Sequence, residues 1–347
     1  MSDMGRNTDT DQLELLSIVV PAHNEAAGIT HAIDVIATTL ASCGMKLEII
    51  VVDDGSRDAT FERVKDRAIA DGRVKGIRFT RNFGKEAALL AGLRVASGEA
   101  VVTIDSDLQH PPALIPKMIE EWREGAMVVD GVKRRRENDG VLTRLRAGLF
   151  NSLLSRLGGI NMENSSDFKL LDRVVVDAIA RELPERQRFY RGLADWVGYR
   201  HASIPFDVEV RAEGKGKWSL WKLMQLATTA IVSFTSAPLQ IVTVLGILTL
   251  LLGVVVGADA LISYFQGRAV SGFATTIITL LVVGSFIMIS LGIIGEYLAK
   301  IYDEIKARPT YLVESAVGFD GDNTLRQAAG PAKRAETAGA ARLPLGE

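Results

Sequence analysis

Val101-Val102-Thr103-Ile104-Asp105-Ser106-Asp107-Leu108-Gln109-His110 is an apolar, β-branched run that ends in two carboxylates one residue apart. Such a run reads as a buried strand, and the acidic turn marks its carboxyl end. Upstream lie further apolar runs at 16–21, 47–52 and 74–79, and another follows at 127–131. Helical patterns separate them at 26–42, 58–70, 85–96 and 113–124. Continuous apolar strands alternating with helices predict an α/β domain with a mainly parallel sheet covered on both faces. Ligands of such sheets bind beyond the carboxyl ends of the strands. The polar clusters fall at those ends: His23-Asn24-Glu25, Asp53-Asp54-Gly55-Ser56 and Asp105-Ser106-Asp107.

Each cluster has two readings when taken alone. Asp105 and Asp107 offer the oxygen ligands that a hard divalent cation takes while it bridges carboxylates to substrate phosphates. An acidic turn capping the next helix has the same composition, and Pro111-Pro112 points to that reading. Asp53-Asp54-Gly55-Ser56 can offer carboxylates to ribose hydroxyls or a base N–H, or can be a turn ahead of a helix cap at Ser56 or Asp58. Pro21-Ala22-His23-Asn24-Glu25 divides the same way.

Composition narrows the class. The 347 residues carry a net charge of −2, so no basic field points to nucleic acid. The single cysteine, Cys43, allows no intrachain disulfide and no thiolate metal site. Hydrophobic residues make up 48%, unevenly spread. Residues 223–258 and 269–295 contain no charge at all, and each exceeds the roughly 20 residues that span a bilayer core. They predict a transmembrane hairpin with spans at 238–261 and 273–294, turning at Gln266-Gly267-Arg268. Lys215, Lys217 and Lys222 precede the first span and Lys300, Lys306 and Arg308 follow the second, whereas the turn offers only Arg268. Excess Lys and Arg mark the cytoplasmic side, so the α/β domain and both termini are expected there, in an inner-membrane, multi-pass protein.

The flanks add membrane-surface features. Trp218 and Trp221 suit an interfacial aromatic belt, and Tyr297, Ile301 and Ile305 form a stripe on a helix ending before Pro309. A basic amphipathic helix is predicted at 141–157, either packed on the sheet domain or lying in the interface. The expected organisation is a disordered start at 1–14, a catalytic domain at 15–217, juxtamembrane and membrane helices at 218–313, and a disordered tail at 314–347.

Taken together, Pro21-Ala22-His23-Asn24-Glu25, Val52-Asp53-Asp54-Gly55-Ser56, Arg81-Asn82-Phe83-Gly84-Lys85 and Asp105-Ser106-Asp107 resemble the nucleotide-sugar domain of family 2 glycosyltransferases, which has the GT-A fold. The resemblance runs on through Asp167-Phe168-Lys169-Leu170-Leu171-Asp172-Arg173 and Gly295-Glu296-Tyr297-Leu298, covering about residues 16–313. It is strongest to polyprenyl-phosphate glycosyltransferases with two C-terminal membrane helices, with dolichol-phosphate mannose synthase more distant. The resemblance implies a metal-dependent enzyme that moves a sugar from a nucleotide diphosphate to a polyprenyl phosphate such as undecaprenyl phosphate, with UDP-glucose first among donors.

By the same resemblance Pro21, Ala22, Glu25 and Asp54 hold the nucleoside and Asp53 assists there. Asp105 and Asp107, with Gln109, bind Mg²⁺ or Mn²⁺ and the diphosphate. Lys85 lies near the nucleotide, and Asp167 approaches the transferred sugar or the acceptor. Arg211-Ala212-Glu213-Gly214-Lys215-Gly216-Lys217-Trp218 resembles the family's membrane-proximal R-x-x-G-x-S-K-W/Y element. Gly216 replaces its serine, while Arg211 and Lys217 remain as phosphate partners. Arg134, Arg135, Arg136 and Arg144 form a dense positive group, read as a lipid-phosphate site in preference to a solvated face or a general attraction to anionic lipid.

A phosphate acceptor is already anionic near neutral pH and needs no strong general base. Direct inverting attack is therefore expected, with Asp167 orienting. The alternatives are another acceptor, such as a glycolipid or polysaccharide, or a non-catalytic nucleotide-sugar sensor. Gln187-Arg188-Phe189-Tyr190-Arg191-Gly192 does not match the Q-x-x-R-W motif of processive synthases. The resemblance also implies homo-oligomers, and a separate flippase is expected to carry the product across the bilayer.

Overall fold

The structure is a computed structural model that describes residues 14–133, 166–183, 185, 188–206, 237–267 and 273–319. Two compact units form: a sheet domain, to which residues 309–319 return, and a helix pair that precedes this return.

The sheet domain holds eight strands: β1 (Leu15–Ala22), β2 (Lys46–Asp53), β3 (Val74–Phe79), β4 (Ala100–Thr103), β5 (Val128–Lys133), β6 (Lys169–Asp172), β7 (His201–Phe206) and β8 (Val313–Val317). Their order is β7-β5-β6-β4-β1-β2-β3-β8. Strands β1 to β4 pair in parallel, as does β5 with β7. β6 runs antiparallel to both β4 and β5, and β8 antiparallel to β3. Four helices follow the first four strands: α1 (Ile29–Thr39), α2 (Thr60–Ala70), α3 (Lys85–Val95) and α4 (Ile115–Arg123). After β6 come α5 (Arg173–Asp177), which runs into a π turn, and α6 (Tyr190–Trp196).

Successive side chains on a strand point to opposite faces, so a run that is apolar throughout builds a core on each side. In β1, Leu16, Ile18 and Val20 join one core and Val19 the other. In β2, Leu47, Ile49 and Val51 face the first core, and Ile50 and Val52 the second. Residues of α1, α2 and α4 fill the first core, those of α3 and α5 the second. α3 lies very close to the sheet, because a Cβ on Gly92 would stand 2.2 Å from Val19 Cγ1.

Expected and observed elements agree closely for β1 to β5 and α1 to α4. Strands β6 and β7 were not expected. Nor was β8: the segment 314–347, expected to be disordered, begins inside this strand. Its pairing with Gly76 to Phe79 makes it part of the sheet domain, so that domain does not end at 217. Residues 320–347 and 1–13 lie outside the described residues, as do the expected helix at 141–157 and the tryptophans at 218 and 221.

The second unit contains α7 (Ala237–Phe265) and α8 (Phe273–Ile305), which pack on each other. Both are long and apolar enough to cross a membrane, over Leu239–Phe265 and Thr276–Ile305. Their leucines and isoleucines are largely uncovered, Leu250 and Leu280 being 68% and 66% exposed. Apolar faces of this length and exposure fit a lipid surrounding. α8 carries the expected Tyr297, Ile301 and Ile305 stripe as its own continuation, so the second span and that stripe are one helix.

Candidate active site

The strand registers gather the functional residues at one edge. Ala22 pairs with Asp53, Asp53 with Arg78, and Val19 with Thr103, so β1, β2, β3 and β4 all finish on the same side of the sheet. β6 arrives antiparallel, with Lys169 opposite Thr103, which brings Asp167 to the carboxyl end of β4. Parallel strands thus deliver residues by their ends, and the reversed strand delivers one by its start.

The loops at this edge are tied together by side chains. Ser56 Oγ accepts the Asn24 N–H (2.8 Å), Thr60 Oγ1 accepts the Glu25 N–H (2.9 Å), and Asp58 Oδ2 accepts the Ala26 N–H (3.1 Å). Gly55 sits at φ 63°, and a Cβ there would lie 2.3 Å from the backbone carbon of Arg81. Only glycine lets the β2 and β3 loops approach so closely. In the loops of this edge two non-glycine residues are also left-handed, Asn24 at φ 56° and Leu108 at φ 52°, as is Ala307 elsewhere. Backbone held in this sparsely populated region clusters at functional loops. Both are in the loops predicted to carry chemistry.

Asp54 and Asp53 are committed inward. Asp54 accepts the Phe83 N–H at 2.6 Å and the Gly84 N–H at 2.9 Å, clamping the start of α3. Burial raises its pKa, partly offset by those two donors. Asp53 Oδ1 accepts both the Ser56 N–H (3.0 Å) and its hydroxyl, and Arg78 Nε lies 3.7 Å from Oδ2. Burial outweighs these bonds and raises the Asp53 pKa. Its buried Oδ2 has no hydrogen-bond partner among the described residues. The Ala22 carbonyl accepts the Asp54 N–H at 2.9 Å, and Pro21 and Ala22 are buried in the strand.

The charged centre lies at the end of β4. Lys85 Nζ is 2.5 Å from Asp105 Oδ1 and 2.6 Å from Asp167 Oδ2. Burial alone would lower the Lys85 pKa, but Asp167 and Asp105 together raise it. Arg191 grips Asp167 with two bonds, Nε to Oδ1 at 2.6 Å and Nη2 to Oδ2 at 2.9 Å. Burial pushes the Asp167 carboxyl upward, yet Arg191 and Lys85 outweigh it and hold it well below the usual carboxylate range. Thr103 Oγ1 donates to the Asp167 carbonyl at 2.5 Å and lies 2.9 Å from the Tyr190 hydroxyl. Glu86 accepts the Tyr190 N–H at 2.8 Å, and its pKa is pushed up to about 7, chiefly by burial.

Asp107 is exposed and accepts the Gln109 N–H at 3.1 Å. Glu25 has a raised pKa, from burial first and from the nearby Asp107 charge second. Asp107 therefore offers carboxylate oxygens beside Asp105, whose Oδ1 meets Lys85 and whose Oδ2 lies 3.8 Å from His110 Nδ1. This fits a hard divalent cation that shares its remaining positions with substrate oxygens. Another group, Asp130, Asp195 and His201, has ligand atoms within 4.8 Å of one another. There the ammonium of the fully buried Lys169 already pairs with Asp130. A positive charge is thus supplied, and the group is a structural ion-pair cluster.

Of the sequence-predicted residues, Asp105, Asp107, Lys85, Asp167, Glu25, Asp53, Asp54, Pro21, Ala22 and Gln109 all lie at this edge. Arg134, Arg135, Arg136, Arg144, Arg211 and Lys217 lie outside the described residues. Arg191 and Glu86 were missed by the sequence reading, although Arg191 stands within the stretch weighed against the processive motif.

Residues 17–180 match the model of Glycosyl transferase family 2. An uncharacterized glycosyltransferase of Synechocystis sp. is 40% identical, covering 88% of this chain and 96% of its own. The bactoprenol glucosyl transferase of Shigella phage SfII is 37% identical, covering 87% of this chain and 98% of its own. Among solved structures, glucosyl-3-phosphoglycerate synthase from Mycobacterium tuberculosis in complex with UDP is 27% identical, with a TM-score of 0.43 over 64% of this chain and 79% of that one. On the motif residues, their convergence at one sheet edge and relatives matched along nearly their whole length, this chain belongs to glycosyl transferase family 2.

Proposed function

We propose that the chain transfers a monosaccharide from a nucleotide diphosphate sugar, UDP-glucose first, to undecaprenyl phosphate at the cytoplasmic face of a membrane, with inversion. The carrying observation is the pairing of this charged sheet edge with two membrane-length apolar helices in one chain. Identities of 35–40% to relatives that include several bactoprenol glucosyl transferases support the acceptor class.

Asp105 and Asp107 would hold the cation, which supplies charge neutralisation for the departing diphosphate when bound. The β1 and β2 loops, locked by Ser56, Thr60 and Asp58, fix the nucleoside wall around Glu25, with the buried Asp53 supporting it from behind through Ser56. Lys85, anchored at the start of α3, balances charge between Asp105 and Asp167. An oxygen of the lipid phosphate attacks the anomeric carbon and forms the new C–O bond. The bond to the nucleoside diphosphate breaks, and its electron pair leaves with the diphosphate. No proton moves, so Asp167 needs no basicity, in keeping with its depressed pKa.

The test uses full-length protein in detergent with undecaprenyl phosphate, Mg²⁺ or Mn²⁺, and a panel of labelled UDP-glucose, UDP-GlcNAc, UDP-galactose and GDP-mannose. Labelled lipid from one donor, lost with EDTA, is expected. Folded, nucleotide-binding protein that labels no lipid with any donor overturns the reading.

A further inference from the structure

The charged groups at the end of β4 form an alternating line. Asp105 meets Lys85, Lys85 meets Asp167, and Asp167 meets the guanidinium of Arg191 along its Nε and Nη2 edge. Each link is fastened from outside. Thr103 fixes the Asp167 backbone, and Glu86 ties the N-terminal end of α6, which carries Arg191, to the first turn of α3, which carries Lys85. With Asp167, Arg191 and Lys85 so anchored, the line can stay in place while Asp105 changes partner.

Two cations and two carboxylates balance in this line only while Lys85 serves Asp105. Were Asp105 committed to a divalent cation, Lys85 and Arg191 would face Asp167 and Glu86, and one positive charge would be left over while Glu86 keeps its proton. That surplus lies on the Asp167 side, two links from Asp105. In an inverting transfer the attacking group comes from the side opposite the departing diphosphate. The Arg191 side chain is 41% exposed, and Asp167 uses only its Nε and Nη2, which leaves Nη1 for a ligand. A guanidinium held along one edge is oriented for phosphate oxygens on the other.

We propose that Arg191 binds the phosphate of the acceptor and that Asp167 is its positioning residue. This rests on the polyprenyl-phosphate reading above. It assigns the acceptor site a residue of the sheet domain itself, on α6, in addition to the arginines expected at 134–136 and 144 and the element at 211–218.

The test measures KM for undecaprenyl phosphate, KM for the sugar donor, and the affinity for UDP with Mn²⁺ by calorimetry. It uses the full chain in detergent as wild type, Arg191→Ala and Arg191→Lys. Loss of a charge-assisted contact predicts an acceptor KM raised about 10- to 100-fold in Arg191→Ala. Arg191→Lys keeps the charge without the fork and is expected to fall between, with UDP affinity unchanged in both. Binding of undecaprenyl phosphate in the presence of UDP, without turnover, should weaken in parallel. An acceptor KM equal to wild type, or a loss of UDP affinity as large as that for the lipid, overturns the assignment. If Arg191→Ala does not fold, Arg191→Lys decides alone. A wild type that labels no lipid sinks the underlying reading, whereas an active wild type with indifferent variants sinks only the role of Arg191.

Discussion

A carboxylate can hold a cation only where other donors have not already claimed it, and this separates the acidic residues of the site. Asp54 spends both oxygens on the Phe83 and Gly84 N–H groups. Asp107 stands exposed with one backbone donor. Asp107→Asn is therefore expected to lower transfer at least about a hundredfold with little change in melting temperature. Asp54→Ala should lower the melting temperature itself, and a melting series on both variants reads the contrast. At Gly55, alanine adds a Cβ in contact with the Arg81 backbone at positive φ, so Gly55→Ala should cost about 2 kcal/mol or more in unfolding free energy. A variant as stable as wild type would refute the close approach of those loops. Glu86 gives a pH signature. Its pKa is about 7 in the fold, against an ordinary value of 4.5, so the folded state retains a proton that the unfolded chain gives up first. Its contribution is intact below about pH 4.5 and is lost progressively as pH rises toward 7. Relative to wild type, Glu86→Gln should gain stability across that window and level off above it, as melting curves at stepped pH would reveal. Asp105, Asp107, Lys85 and Asp167 were legible because they belong to motifs. Arg191 and Glu86 were not, since their partners lie 24 and 104 residues away and leave no local pattern.

Elements were legible in proportion to their length and apolar continuity. Strands β1 to β3 and helices α1 to α4 bury whole runs or clear faces, and composition exposes them. β6 has four residues, one of them a fully buried lysine whose charge is met by Asp130, a pairing that no periodicity reveals. β7 alternates but contains Pro205 and lies at the edge of the sheet. β8 follows the apolar helices and reads as tail, yet it covers β3, and the preceding Tyr311 stacks on Phe79 at 4.8 Å. Ending the chain after Arg308 should uncover the β3 edge and lower the melting temperature, with aggregation. Ending it after Phe319 should preserve both stability and transfer. Equal stability of the two truncations would show that β8 contributes nothing to the sheet.

At the scale of the molecule, the helix pair was legible from charge depletion alone, because few soluble cores need 27 and 30 residues of apolar helix in succession. The sheet domain takes its last strand from beyond that pair. If α7 crosses a bilayer, α8 must cross back, so that Val313 can reach Phe79. In a Cys43→Ser background, single cysteines at Ser203 and Ser315 should react with an impermeant maleimide from the same face of sealed vesicles. A cysteine at Gln266 should react from the opposite face. Labelling of Ser203 and Ser315 from different faces would contradict the shared sheet.

The late position of β8 also sets an order of manufacture. A ribosome finishes both apolar helices before it makes the strand that covers the β3 edge. If those helices insert as they emerge, the nascent chain is held at the membrane while its β3 edge is still open. Completion of the sheet would then follow insertion, and a chain that missed the membrane would close its sheet with two bare apolar helices already attached. Quality control that recognises those helices would remove them as misplaced chains.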